Sequence, residues 1–242
     1  MNYNKFLFFL GPPRTASTWT YNIFKLIDNV SVPYIKQLHF FDNNFDKGVD
    51  WYLSHFNLEC PTLVDFTPDY FTNAIALKNI NATFPGSKYI LVYRDPLERA
   101  FSHFKLRFNS GFISTDFHSL FKSDPYLFNN SLYGLHLKNL LGMIHPDNIV
   151  IINFTSLISN PKLVLPSIFT HFGFDPIDID FDSSSSKPSS RFVNNLKSFL
   201  KFRSFNVFFS HNLSDYSYLR SAFYSDIVLF NQLILDFNIK RL

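Results

Sequence analysis

A short loop near the amino terminus combines residue types that bind a phosphate or sulfate group. Residues 11–18 read GPPRTAST; they follow an apolar run at 6–10 and precede an amphipathic segment that begins at Trp19. This order predicts a strand, a tight loop and a helix amino terminus, where free backbone N–H groups and the helix dipole attract an anion. The loop offers that anion a cation and two hydroxyl donors, from Arg14, Ser17 and Thr18.

The loop does not have the G-x-x-x-x-G-K-[ST] spacing that nucleoside triphosphatases use. Taken alone, it is equally compatible with an ordinary strand-to-helix turn capped by Thr or Ser, which is common in α/β proteins. A second segment of similar organisation favours the anion site.

Residues 88–104 (KYILVYRDPLERAFSHF) form this second strand-to-helix arrangement. The continuous apolar run at 89–93 is typical of a buried parallel strand, and Arg94 follows its carboxyl end, where open α/β sheets bind ligands. Pro96 suits the first turn of a helix, which places Ser102 about two turns beyond Arg94. The simpler interpretation is a solvated helix start, in which Arg94 pairs with an acidic side chain one turn later.

The two segments together resemble the cofactor-binding motifs of sulfotransferases that use 3′-phosphoadenosine 5′-phosphosulfate (PAPS). Residues 13–19 (PRTASTW) are similar to the 5′-phosphosulfate motif P-K-[ST]-G-[ST]-[ST]-W, and residues 94–102 to the 3′-phosphate motif R-[DN]-P-x-x-R-x-x-S. The resemblance implies that Arg94 and Ser102 bind the 3′-phosphate and that Arg99 is the interior arginine of the motif. It also implies six consecutive cofactor contacts, the last of them stacked on adenine: Arg14, Thr15, Ala16, Ser17, Thr18 and Trp19.

Two further regions resemble the acceptor side of the heparan sulfate and related carbohydrate sulfotransferases. Residues 36–42 (KQLHFFD) and 48–52 (GVDWY) are similar to K-E-x-H-F-F-D and G-x-x-W-Y, and residues 64–71 (VDFTPDYF) to E-K-T-P-x-Y-F. The resemblance implies sulfuryl transfer from PAPS to an acceptor hydroxyl or amine on a carbohydrate, which leaves 3′,5′-adenosine bisphosphate (PAP). The implied partner is a small-molecule or glycan acceptor. No metal is expected, since metal-ligand spacings do not occur.

The chain departs from this pattern at the groups that would do the chemistry. Arg14 stands where the family has Lys; it keeps the charge that stabilises a leaving phosphate, but it is a much poorer proton donor. Gln37 replaces the glutamate expected to act as base and cannot usefully take a proton, so we predict His39 as the general base. The alternative bases are the carboxylates Asp42, Asp65 and Asp69.

The acceptor-side assignments depend on the resemblance alone. Lys36 is expected to orient the acceptor or the donor sulfate, and the predicted acceptor contacts are Gln37, Phe41 and Asp42, although Asp42 is equally placed to cap the next turn. Phe66 replaces a family lysine, which removes one cationic contact. Without the resemblance, a histidine followed by two phenylalanines would be more typical of a packed core residue.

Two candidate cofactor contacts lie later in the chain. Tyr133, in the sequence Ser131-Leu132-Tyr133, matches a position near the adenosine in several family members. Residues 183–190 (SSSSKPSS) are polar and of low complexity, which is typical of a flexible linker. The family places a cofactor-covering loop near here, and Lys187 or Arg191 would then close over the 3′-phosphate.

The composition predicts one globular domain spanning residues 1–242. Hydrophobic residues make up 46% of the chain and the net charge is only +3, which excludes the strongly basic footprint of a nucleic-acid-binding protein. No apolar stretch approaches the roughly 18 residues of a membrane helix, and no secretory signal is recognisable. Cys60 is the single cysteine, so no intramolecular disulfide is expected. We therefore expect a cytoplasmic protein.

Apolar runs alternate with amphipathic stretches along the chain. Strands are predicted at 6–10, 62–66, 88–93 and 148–153, a loop at 36–48, and helices at 18–28, 48–55, 71–81, 96–108, 131–143, 161–172 and around 218–237. This order predicts an α/β fold with a doubly wound parallel sheet flanked by helices and a P-loop-like phosphosulfate loop.

Two other functions remain compatible with these patterns. A P-loop-like nucleotide kinase or other phosphotransferase would share the first loop, but the Walker lysine is missing and the Arg94/Ser102 pair argues against it. A non-catalytic nucleotide-binding module is favoured by Gln37 and Phe66, which replace two groups of the family's acceptor side.

Overall fold

The computed structural model describes residues 6–112, 115–177 and 213–242, and within these ranges one parallel sheet organises the protein. Its strand order is β2-β3-β1-β4-β5-β6. The strands are β1 (Phe6–Leu10), β2 (Val30–Ser31), β3 (Thr62–Asp65), β4 (Lys88–Tyr93), β5 (Ile149–Asn153) and β6 (Lys240–Arg241). The four longer strands confirm the predicted ones, whereas β2 and β6 were missed because two residues carry no periodicity.

Helices and 3₁₀ turns connect the strands. The α-helices of the described ranges are α1 (Ser17–Phe24), α2 (Phe40–Asn43), α3 (Val49–Leu53), α4 (Ala74–Thr83), α5 (Pro96–Asn109), α6 (Phe117–Ser123), α7 (Pro125–Phe128), α8 (Tyr133–Leu141), α9 (Phe154–Ser159), α10 (Pro161–Phe172) and α11 (Tyr224–Asp236). The 3₁₀ helices are Phe45–Lys47, Pro68–Thr72, Asn129–Ser131, Pro146–Asn148 and Leu213–Phe223.

Three predicted elements differ most from the structure, and the other predicted helices differ by at most three residues at either end. The first helix ends at Phe24 instead of residue 28, because the N–H groups of Leu26 and Ile27 bond to carbonyls three residues back. The predicted loop at 36–48 contains α2. The last predicted helix is 3₁₀ as far as Phe223 and becomes α-helical only afterwards.

The strands bury both faces, as their continuous apolar runs predict. On one face, Phe9 and Val92 belong to a cluster that includes Phe24 of α1 and residues of α10. On the other face, Phe8 and Leu91 belong to a cluster that includes residues of α4, α8 and α11. Helices on both faces of a parallel sheet confirm the doubly wound α/β fold.

The strand order creates a switch point at the carboxyl end of β1. β1 lies between β3 and β4, and the chain fills the β3 side of the sheet before it crosses to the β4 side. Open α/β sheets bind ligands at such points. The fold therefore brings together the loops that follow β1, β3 and β4, which carry the predicted motifs. Within the described ranges, no helix is both long and apolar enough to cross a bilayer.

Candidate active site

The loop after β1 has a backbone suited to holding an anion. Arg14 and Ala16 have positive φ angles of 85° and 67°, which cost non-glycine residues about 1 to 3 kcal/mol each. Left-handed residues inside a turn direct successive N–H groups towards one side, forming an anion-binding concavity. Ala16 stands where the family pattern has Gly, and its left-handed φ gives the physical reason for that preference.

The side chains of this loop and of the start of α1 differ in their exposure. Thr15 is fully buried and its hydroxyl donates to the Pro12 carbonyl at 3.0 Å, so its side chain stabilises the loop. Ser17 begins α1 and is 7% exposed, Thr18 is exposed and Trp19 is half-buried. The free N–H groups of the first turn of α1 extend the same anion-binding surface.

The predicted 5′ and 3′ phosphate ligands contact one another directly. Arg14 Nε donates to Ser102 Oγ at 3.1 Å, and Arg94 Nη1 donates to the Arg14 carbonyl at 3.0 Å. Arg94 also lies over the Phe154 ring, with Cζ 4.4 Å from its centroid, and its Nε is 3.7 Å from a Glu98 carboxylate oxygen. The two motifs, 80 residues apart in the chain, therefore form one cationic site.

The electrostatics of this site favour a polyanionic ligand. Burial, and next the neighbouring Arg94 charge, lowers the pKa of Arg14; burial also lowers the pKa of Arg94. Lys105 on α5 has its pKa lowered by burial and by these two arginines. Burial, followed by nearby guanidinium groups, lowers the pKa of His103 to about 4, so this imidazole is neutral at pH 7. Several cations held close together raise the affinity for an anion between them.

Tyr133 lies behind Arg94 and not on the surface of the site. Its side chain is 1% exposed, and its hydroxyl accepts the backbone N–H of Arg94 at 3.2 Å. A ring so deeply buried presents no face to an adenosine in this arrangement. The structure therefore corrects the predicted cofactor contact to a positioning role for Tyr133.

His39 and Asp42 form a dyad on the acceptor side. His39 Nδ1 lies 2.9 Å from Asp42 Oδ2, and since a carboxylate only accepts, the Nδ1–H donates to it; in the neutral imidazole Nε2 is then the acceptor. The His39 side chain is 32% exposed, whereas that of Asp42 is 7% exposed. Asp42 Oδ1 also accepts the Asn43 N–H at 2.8 Å. This geometry is compatible with His39 as the base and with Asp42 as its orienting partner; the base and the acceptor contact of Asp42 both stay predictions.

Lys36 and Gln37 lie beside a group of carboxylates at the end of β3. Gln37 Nε2 is 3.5 Å from Asp69 Oδ2, the outer limit of a hydrogen bond. Burial lowers the pKa of Lys36 to about 8, against the opposing effects of Asp69 and Asp65. Burial also raises the pKa of Asp69. Gln37 and His39 both have positive φ angles, of 62° and 48°, so this segment stores backbone strain as the loop after β1 does.

Asp65 is a buried carboxylate beneath this group. It is 1% exposed and accepts hydrogen bonds from Thr67 Oγ1 at 2.6 Å and Tyr52 Oη at 3.0 Å. Burial raises its pKa to about 6. Tyr70, whose hydroxyl accepts the Phe40 N–H at 2.8 Å, fixes the start of α2. Nothing in the sequence pattern singled out Tyr70 beyond its place in the motif-like segment 64–71.

Two phenylalanines of the acceptor motifs are core residues. Phe41 is fully buried and packs edge-on against Phe8, with ring centroids 5.6 Å apart, so the prediction that it contacts the acceptor is wrong. Phe66 is also fully buried and stacks on Phe9 at 4.9 Å. It faces the sheet, where a lysine would need a partner for its charge.

The remaining predictions concern the two basic residues of the polar loop and the metal. Lys187 and Arg191 lie outside the described residues. Among the described residues, no group of three His, Cys, Asp or Glu side chains is arranged to hold a metal ion.

The sequence comparisons agree with this geometry. The chain is 24% identical over 191 residues to bifunctional heparan sulfate N-deacetylase/N-sulfotransferase 1 of Mus musculus, which covers 69% of this chain and 22% of that protein. It is 32% identical over 108 residues to the Caenorhabditis briggsae protein of the same name, covering 42% of this chain and 13% of the relative. The chain thus spans only a small part of the length of these curated relatives.

The structural comparison and the family match cover more of this chain than the curated relatives do. A sulfotransferase structure from Alicyclobacillus acidocaldarius shares the fold with a TM-score of 0.69, at 14% identity and over 94% of both chains. The sulfotransferase domain family matches residues 5–220, a range that includes the loop after β1, the acceptor segments and the Arg94–Ser102 motif. This chain therefore belongs to the sulfotransferase family.

Proposed function

We propose that the protein transfers a sulfuryl group from PAPS to a hydroxyl or amine of a carbohydrate. The observation that carries this proposal is the direct contact between Arg14 and Ser102. It joins the loop after β1 to the Arg94 motif, so that one site can bind both the 5′ and the 3′ anionic group of a nucleotide. The His39–Asp42 dyad then supplies a base on the acceptor side.

The residues fit PAPS as a set. The N–H groups of loop 11–16 and the first turn of α1 hold the 5′-phosphosulfate, while Arg94 and Ser102 hold the 3′-phosphate. Trp19, half-buried at the start of α1, offers its indole to the adenine. The residues proposed to bind the 5′-phosphosulfate, the 3′-phosphate and the adenine come from two segments that are distant in sequence but in contact in the structure. A ligand as long as PAPS needs such a combined site.

In the reaction, a bond forms from the acceptor oxygen or nitrogen to sulfur while the bond from sulfur to the phosphate oxygen breaks, and PAP leaves. His39 Nε2 takes the acceptor's proton, and Asp42 holds the imidazole in the tautomer that can do so. Arg14 places its charge where negative charge develops on the departing phosphate. We assign to Lys36, which interacts electrostatically with Asp69 and Asp65, the task of orienting the sulfate or the acceptor.

The carbohydrate acceptor rests on the comparisons. The curated relatives carry heparan sulfate N-sulfotransferase in their names. Residues 36–42, 48–52 and 64–71 of this chain resemble the acceptor-side motifs of the heparan sulfate and related carbohydrate sulfotransferases. Gln37 changes the base in this chain, and Phe66 removes a cation, so the acceptor group and its position on the sugar are expected to differ in detail. Both hydroxyl and amine acceptors are compatible with a neutral imidazole base.

The proposal is tested by incubating the protein with labelled PAPS and a panel of glycans, lipids and phenols, with and without a metal chelator. We expect label to move to a glycan, with PAP formed in equal amount and no effect of chelation. Transfer to lipids or phenols alone would refute the carbohydrate acceptor. If the protein instead transferred phosphate from ATP in the presence of magnesium, the kinase alternative would replace the proposal. PAP binding without any turnover would favour the binding module.

A further inference from the structure

Arg99 is a fully buried cation directly behind the phosphosulfate loop. It lies on α5 with 0% exposure, so it cannot touch a ligand in the site. Nε donates to Ser131 Oγ at 2.6 Å, Nη2 to the Leu127 carbonyl at 2.7 Å, and Nη1 to the Pro13 carbonyl at 3.4 Å. Among the described residues, no carboxylate lies within 4 Å of its guanidinium. All these acceptors are neutral, which is unusual for a buried charge.

Three consecutive carbonyl groups of the loop each accept a hydrogen bond from a side chain. Pro12 O accepts from Thr15 Oγ1 at 3.0 Å, Pro13 O from Arg99, and Arg14 O from Arg94 at 3.0 Å. In a planar trans peptide the N–H of the next residue points opposite to the carbonyl. Fixing the Pro13 and Arg14 carbonyls therefore also fixes the direction of the Arg14 and Thr15 N–H groups.

We propose that Arg99 is a positioning residue for sulfuryl transfer: it holds the Pro13 carbonyl inward so that the Arg14 N–H faces the 5′-phosphosulfate. Ser131 completes the device, because its hydroxyl accepts from Arg99 Nε and donates to the Pro96 carbonyl at 3.0 Å. Ser131 and Tyr133 thus hold the two arginines of the 94–102 motif in place. Ser131 accepts from the Arg99 side chain, and Tyr133 accepts from the Arg94 backbone N–H. This inference rests on the proposed nucleotide site.

The buried charge of Arg99 adds a second effect at longer range. Burial lowers its pKa to about 10; Tyr133 and Asp124 oppose this shift, whereas Arg94 and Arg14 add to it, and Arg99 stays charged at pH 7. A cation with no carboxylate at ion-pair distance raises the potential at both phosphate positions. The hydrogen bond to Pro13, by contrast, acts only on the loop. The two effects can be separated, because only the hydrogen bond to Pro13 distinguishes the 5′ from the 3′ end of the nucleotide.

The experiment measures calorimetric affinities of the full chain for 5′-AMP, 3′-AMP and PAP. Arg99→Lys keeps the charge but cannot bond to Pro13, Ser131 and Leu127 at once. We expect its affinity for 5′-AMP to fall about tenfold, with PAP weakened by the same factor and 3′-AMP changed less than twofold. Arg99→Met removes the charge as well, and we expect it to weaken 3′-AMP in addition.

Arg107→Met is the matched control, because Arg107 lies on the same helix and pairs with Asp124 but does not contact the loop. It should bind all three nucleotides as the wild type does. If an Arg99 variant does not fold, Ser131→Ala, which removes the anchor of Nε, carries the same test. Equal losses for 5′-AMP and 3′-AMP in Arg99→Lys, or unchanged 5′-AMP affinity, would overturn the inference. Failure of the wild type to bind PAP would instead overturn the proposed function.

Discussion

At the scale of single residues, the chain lacks the glutamate that the family pattern has as its base and carries a histidine–carboxylate pair in the same segment. The family pattern has a glutamate where Gln37 stands, and Gln37 Nε2 reaches only the edge of Asp69 at 3.5 Å. His39, two residues later, is the residue with a carboxylate in the position of an orienting partner. Both residues have left-handed backbones, which aim their side chains and carry a cost in stability. This strain is compatible with a segment shaped for function.

The His39–Asp42 dyad predicts a specific pattern of losses. His39→Ala should lower kcat by about two to four orders of magnitude, the usual scale for a positioned base. Asp42→Asn should lower kcat with little change in the PAPS KM, because it disturbs the imidazole and not the nucleotide. The measurement is the initial rate of PAP formation with the acceptor found in the screen.

His55→Ala is the control for this prediction. His55 is half-buried in the same region, and its Nδ1 bonds to the Trp51 carbonyl at 2.8 Å. It should keep near-normal turnover. If His39→Ala did so too, the base would lie elsewhere, with Asp69 the next candidate because its pKa is raised by burial.

Lys36 predicts an alkaline limit to activity. Burial lowers its pKa to about 8, so its charge is present below that pH and lost as pH rises through it. If the charge holds the sulfate or the acceptor, kcat/KM should fall above about pH 8. Lys36→Arg keeps the charge at high pH and should move this fall upward. A wild-type profile that stays flat from pH 7 to 10 would show that the Lys36 charge is not needed.

At the scale of elements, the long strands and the two motif-bearing junctions were predictable, and the supports behind them were not. β4 and α5 follow from an apolar run and a proline at the first helical turn. The bond from Tyr133 to the Arg94 N–H joins residues 39 positions apart and leaves no local pattern. Phe41 was misassigned for a related reason: motif matching identifies a segment but does not say which of its side chains face the core.

The packing of α8 against α11 positions Tyr133. Asp226 of α11 accepts the N–H groups of Gly134 and Leu135, both at 2.8 Å, at the amino terminus of α8. A Cβ on Gly134 would overlap the Asp226 carbonyl oxygen and come within 2.9 Å of Phe230 N. The two helices can therefore approach this closely only with glycine at position 134.

Gly134→Ala should destabilise the protein by about 1 to 3 kcal/mol, because the backbone of α11 must move. It should also weaken PAP binding, since Tyr133 moves with the start of α8. Gly142→Ala is the matched control: Gly142 caps the same helix with a helical φ of −68°, and its added Cβ would meet the nearest atom at 3.4 Å. Urea denaturation compares the two. A smaller loss for Gly134→Ala than for Gly142→Ala would contradict the packing account.

At the scale of the whole molecule, the strand order arranges the predicted reaction across the sheet. β3 carries the acceptor-side carboxylates, β1 carries the phosphosulfate loop, and β4 carries the 3′-phosphate motif, in the spatial order β3-β1-β4. Alternation of strands and helices predicted the fold class, but the spatial order had to come from the structure. That order places the predicted phosphosulfate loop directly beside the predicted acceptor side, so the sulfate donor and the acceptor are neighbours, with the predicted 3′-phosphate motif on the other side of the loop.

The central claim is that one cationic site binds both the 5′ and the 3′ phosphate of the cofactor. Calorimetry with PAP and 5′-AMP tests it most directly. Arg94 and Ser102 should make PAP bind at least about 30-fold more tightly than 5′-AMP, a difference of about 2 kcal/mol for a charged bidentate contact. Arg94→Ala should remove most of that preference. Equal affinity of the wild type for PAP and 5′-AMP would contradict the account.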